Sequence, residues 1–128
     1  MLLAVSQAQG VQCDCIPRIA TGFGGGMGRQ GEVCGAVSGG VMALGLVYGR
    51  QEAGDKQTKE LAYAKTADFV NRFTKINGDL RCRDLLNVDI GSEEGLQTYR
   101  DLHLKGDVCT GAVGSAVRIL LSLMEQVG

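Results

Sequence analysis

GFGGGMGRQGEVCGAVSGGVMALGLVYG, residues 22–49, falls into two parts of opposite character. Positions 22–31 hold six glycines, and so many in one turn-length run cost too much backbone entropy for regular helix. Glu32 to Gly49 reads as a buried helix. Glu32 at its start suits the positive end of the helix dipole, and Gly49 closes it. Gly35, Gly39 and Ala43 recur at i, i+4 and i+8, a stripe of small residues that lets another helix approach closely. A glycine-rich loop feeding a central helix is therefore the expected core of the fold.

Outward from this stretch the chain reads as helix after helix. Met1 to Gln9 forms a turn or two, stopped by Gly10, and a short helix follows from Ile16 with Pro17 in its first turn. Asp55 caps a long helix running to about Asn77, with Gly78 beyond it. Ala62, Phe69, Val70, Phe73 and Ile76 form its apolar stripe, and Lys59, Asp68, Arg72 and Lys75 its wet side. A connector holds Cys82, followed by the short segment Asp84 to Leu86 and a Ser92-capped helix through His103. The last helix starts near Asp107 and presents Val113, Ala116, Val117, Leu120, Leu121 and Met124. Strand-like alternation is nearly absent, and neither a repeat nor a linker interrupts the chain. The expectation is an all-α, single-domain compact bundle of about five helices spanning residues 1–128.

Composition narrows the function. The 13 basic and 14 acidic residues leave a formal net charge of -1, which gives no electrostatic case for nucleic acid or an anionic membrane. With 3 Tyr, 3 Phe and no Trp, a base-stacking surface is not expected either. The N-terminus MLLAVSQAQG has no Lys or Arg before Arg18 and lacks the pattern of a secretory signal. The most apolar window, Val33 to Tyr48, is 16 residues long and crowded with glycine, short for a membrane span. The expected address is the cytoplasm, without membrane insertion. There, 5 cysteines point to catalytic, redox or metal roles rather than structural disulfides.

Three cysteines occupy positions that favour the thiolate. Cys34 and Cys109 each fall in the first turn of an expected helix, where unpaired N–H groups lower a thiol pKa. Cys82 is flanked by Arg81 and Arg83. The glycine-rich loop can pass close to the Cys34 sulfur and Arg29 can add charge there. Cys13 and Cys15 form C-x-C, a spacing that suits neither a C-x-x-C redox loop nor a zinc knuckle. They are either incidental thiols or metal ligands. Residues 26–31 fit G-x-G-x-x-G, but no strand precedes them and no βαβ pattern follows, so a dinucleotide site is not expected. His103, the one histidine, reads as a solvated surface residue.

The block GFGGGMGRQGEVCGAVSGGVMALGL, with Cys82 in NGDLRCRDLL and Cys109 in the C-terminal VC segment, resembles the C_GCAxxG_C_C family of redox-active proteins. A related segment occurs in split-Soret cytochrome c. The resemblance implies that Cys34 is the cysteine of the central motif and that Cys82 and Cys109 are the two that follow. It implies thiol–disulfide exchange, or a thiolate-bound metal with an iron–sulfur cluster first and zinc second, and an unidentified redox partner. Family members are often encoded near transporter genes, which implies a link to a transporter. The family's first cysteine, in an N-C-A-x segment, would fall upstream of Met1, unless Cys13 or Cys15 stands in as fourth ligand. The rival reading is a non-catalytic helical interaction module or transporter accessory with structural cysteines. The small-residue helix face also raises a homodimer. Whether the protein turns over a substrate stays open at this level.

Overall fold

The computed structural model describes residues 1–125. Among the described residues seven α-helices follow one another: α1 (Leu2–Ala8), α2 (Gly24–Met27), α3 (Gly35–Tyr48), α4 (Lys56–Asn77), α5 (Cys82–Leu86), α6 (Glu93–Asp101) and α7 (Thr110–Glu125). A 3-10 turn, Arg18–Phe23, precedes α2, and a π turn, Lys105–Cys109, runs straight into α7. The all-α expectation holds. The helix number exceeds the expected five because α2 and α5 are single turns too short to leave a periodic signature.

The core forms where α3, α4 and α7 meet. Ala43, Phe69, Phe73, Ala116 and Leu123 are completely buried there, and Val37, Leu44 and Leu120 nearly so. Phe69 lies against Gly40 so closely that a β-carbon at Gly40 would collide with its ring. The contact between α3 and α4 thus uses Gly40 rather than the Gly35–Gly39–Ala43 stripe. On that stripe Gly39 faces the Met1 side chain and Gly35 the backbone of Phe23 and Gly24. Tyr48 Oη donates to the Leu123 carbonyl at 3.3 Å, tying the end of α3 to that of α7.

Caps fix the surface helices as expected. Asp55 accepts from the Thr58 N–H at 3.0 Å and starts α4, while Gly78 closes it in the left-handed conformation. The Ser92 hydroxyl accepts from the Gly95 N–H at 2.9 Å and starts α6. Two helix faces differ from their sequence stripes. Ile76 lies 61% exposed on α4. On α7 the buried set is Ala112, Ser115, Ala116, Ile119, Leu120 and Leu123, while Val113, Val117 and Leu121 face outward. Two adjacent apolar stripes run along α7, and packing against α3 and α4 selects one.

Lys105–Glu125, at 21 residues and mean hydropathy 1.4, is long and apolar enough by length and composition to cross a membrane. The apolar helix α3, Gly35–Tyr48, is shorter. In this fold the longer helix supplies one wall of the core.

Candidate thiol site

The segment joining the glycine-rich loop to α3 is extended and makes one isolated antiparallel bridge, Val33 with Arg81. The Cys34 N–H donates to the Leu80 carbonyl at 2.7 Å, and the Cys82 N–H to the Glu32 carbonyl at 2.8 Å. This pairing delays the start of α3 beyond the expected Glu32. Cys34 becomes its N-cap and Cys82 the first residue of α5. Each cysteine sits one residue past the bridge on its own strand, within diagonal reach of the other.

The loop closes over this bridge through Gly26. With φ at +67°, a β-carbon there would stand 2.5 Å from the Glu32 carbonyl oxygen, 2.7 Å from its nitrogen and 3.0 Å from Cys82 Cβ. Only glycine fits so tight an approach in a left-handed conformation. The loop therefore packs on Cys82.

Cys82 is buried, at 7% exposure, and Cys34 and Cys109 are half-buried against the same small cluster with Leu86 and Ile90. The structure thus brings Cys34, Cys82 and Cys109 together, and all three are free thiols. Their electrostatics are unequal. The Cys82 thiol stabilises the Cys34 thiolate by a hydrogen bond, and the Ala36 and Val37 amides add to this. Against the opposing effect of burial, they lower Cys34 to about 6 from 9.0. Those amides are the second and third residues of the helix that Cys34 precedes. Cys82 moves the opposite way. Its hydrogen bond to Cys34, then burial, then the nearby negative sulfurs hold its proton on.

The arginines that flank Cys82 do not serve it. Arg81 Nη2 lies 3.1 Å from Glu32 Oε2, and Arg83 Nη2 lies 3.8 Å from Glu32 Oε1 while donating to the Gln30 carbonyl at 2.7 Å. Both side chains turn to Glu32 and the loop, not to the thiol between them. They clamp the loop to α5 instead. Cys109 ends the π turn inside a continuous helix rather than standing in a first turn. Its sulfur lies 3.7 Å from Tyr99 Oη. Desolvation and this sulfur push the Tyr99 phenol up to about 12. Tyr99 and Glu32 are the two site residues that sequence reasoning missed. No spacing marks either, because both reach the site through tertiary contacts.

Cys13 and Cys15 are joined by a disulfide. The expectation of incidental thiols or a fourth ligand is corrected accordingly: in this state neither offers a thiolate, and neither belongs to the thiol cluster. Among the described residues no group of three or more His, Cys, Asp and Glu is disposed to hold a metal ion. The three thiols are one short of the four protein ligands of a closed iron–sulfur or zinc centre. His103 is exposed, as expected of a surface residue.

A low-pKa thiol at a helix N-cap, with a buried second thiol against it, defines a small helical thiol protein. Over residues 1–123 the chain matches the family described as "Putative redox-active protein (C_GCAxxG_C_C)", and it belongs to that family. A relative from Archaeoglobus fulgidus, described as an "Uncharacterized protein", is 31% identical over 116 residues, covering 84% of this chain and 70% of that one. No solved structure matches.

Proposed function

We propose that this family member acts by thiol–disulfide exchange, with Cys34 as the attacking thiolate and Cys82 as the resolving thiol. The observation that carries the reading is the Cys34–Cys82 pair: one sulfur half-exposed and acidified at the helix N-cap, the other buried behind it. The Cys34 thiolate attacks one sulfur of a disulfide substrate. A Cys34–substrate bond forms, the substrate S–S bond breaks, and the first substrate thiolate leaves and takes a proton from solvent.

Cys34 then carries no charge. Two of the three main causes that hold the proton on Cys82, the hydrogen bond to the thiolate and its charge, disappear with it. Cys82 loses its proton to solvent and attacks the Cys34 sulfur, forming an internal disulfide and releasing the second substrate thiolate. The substrate gains two electrons and the protein dithiol loses two. The order follows from accessibility, since Cys82 is too buried to meet substrate first. We place the reaction in the cytoplasm, where a reducing pool regenerates the dithiol.

Oxidised glutathione is the test disulfide. With wild type, peptide mapping is expected to find a Cys34–Cys82 link, with little glutathione retained. With Cys82→Ser the adduct is expected to persist on Cys34, and with Cys109→Ser the internal link still forms. An adduct confined to Cys109, or a wild-type adduct that never resolves, overturns the assignment.

A further inference from the structure

A cavity of about 530 Å³, with Tyr99 in its wall, opens between the glycine-rich loop and α6. Its wall carries Arg29, Arg100 and Lys105, and no acidic side chain lines it. Among the described residues none of these three cations takes part in an ion pair or donates a side-chain hydrogen bond. The remaining wall is apolar on one side, where Ile90 and Leu96 join Tyr99. Those three also pack on the thiol cluster, so cavity and thiols share a wall.

The loop is built to hold Arg29 there. Its φ is +68°, a left-handed conformation uncommon for a residue with a side chain. Such a conformation persists where the surroundings fix it. Gly25 leaves room for that side chain: a β-carbon at Gly25 would stand 3.0 Å from Arg29 Cγ and 3.5 Å from Ile90 Cδ1. The loop thus seats the Arg29 stem beside Ile90 and leaves the guanidinium at the cavity.

We propose that this cavity binds a small organic or inorganic polyanion carrying two or more carboxylate or phosphate groups, held by Arg29, Arg100 and Lys105 around the Tyr99 wall. Guanidinium groups address planar carboxylates and phosphates through paired donors, and the lysine adds a point charge. The site is distinct from the exchange reaction, and its occupancy does not require that reaction.

Citrate and inorganic pyrophosphate serve as the two probes, titrated calorimetrically into the reduced full chain. Saturable binding of either is expected, weakened by added salt. Arg29→Gln and Arg100→Gln are each expected to weaken it about tenfold, the scale of a lost charged hydrogen bond. The exposed pair Lys56→Gln and Lys75→Gln, on α4, serves as control and is expected to change nothing. In NMR spectra the Tyr99 ring and Ile90 methyl signals are expected to shift with titration while Tyr63 stays still. Citrate binding alone assigns the carboxylate class, pyrophosphate binding alone the phosphate class, and either supports the site. Absence of saturable binding for both, or equal weakening by the α4 control, overturns it. Because binding is read without turnover, it can fail while the exchange reaction stands, and the reverse.

Discussion

Cys34 owes its lowered pKa to one neighbour and to its place at the start of a helix. A thiol with an ordinary pKa near 9.0 is about 1% thiolate at pH 7, whereas one at about 6 is about 90% thiolate. Alkylation of Cys34 by iodoacetamide is therefore expected to rise tenfold per unit between about pH 4 and 6 and to level off above pH 7. Cys82→Ala removes the largest cause of the shift and leaves the two amides and burial in opposition. Its plateau is expected to move toward higher pH by at least one unit, followed by mass spectrometry of the Cys34 peptide. A profile unchanged in Cys82→Ala would show that the N-cap amides alone set the thiolate. Cys109 makes its contact with Tyr99, so Cys109→Ala is expected to leave the Cys34 profile nearly in place.

Between residue and fold stands the bridge that brings Cys34 and Cys82 together, and glycines in the preceding loop separate its two requirements. Gly26 and Gly28 both have positive φ, at +67° and +59°. A β-carbon at Gly28 meets nothing within 4 Å, whereas one at Gly26 meets the Glu32 backbone and Cys82 Cβ. Gly28→Ala is expected to cost only the conformational penalty, about 1 kcal/mol. Gly26→Ala is expected to cost about 2–4 kcal/mol and to raise the Cys34 pKa by displacing Cys82. Urea unfolding with the alkylation profile reads both effects, and equal costs for the two variants would refute the close-packing account. Neither the bridge nor the clamp of Arg81 and Arg83 on Glu32 was visible in the sequence. A single pair of bridged residues has no period, and the flanking arginines pointed instead to the thiol between them. The caps at Asp55 and Ser92 were legible because each acts within one turn of its own helix.

At the scale of the molecule, helical period identified the elements and left their orientation to packing. Phe69 and Phe73 were legible as core because they are the bulkiest apolar residues on an otherwise charged helix. The face of α7 was not, since Val113, Val117 and Leu121 make as good a stripe as Ala112, Ala116, Ile119 and Leu123. The clustering of thiols 34, 82 and 109 follows from that same packing, and it gives the fold a pH dependence that helices alone would not have. Between about pH 6 and 9 the folded chain has released the Cys34 proton and the unfolded chain still holds it. Stability therefore rises with pH across this window and is lost as pH falls through 6. Above about pH 9 the sign reverses: Cys82 keeps in the folded state a proton that it loses on unfolding. Tyr99, held up to about 12, extends the decline above pH 10. Asp55, lowered from 3.8 by hydrogen bonds from the Thr58 side chain and then its N–H, and Asp79, lowered from 3.8 by the Arg81 and Leu80 N–H groups, add a separate loss in acid below about pH 4. Urea midpoints of the reduced protein are thus expected to climb from pH 6, peak near pH 9 and fall beyond it. In Cys34→Ser the climb between pH 6 and 9 is expected to vanish while the acid loss remains. If the variant kept the climb, the thiolate would not be its source, and the close approach of Cys82 to Cys34 would have no energetic consequence for the fold.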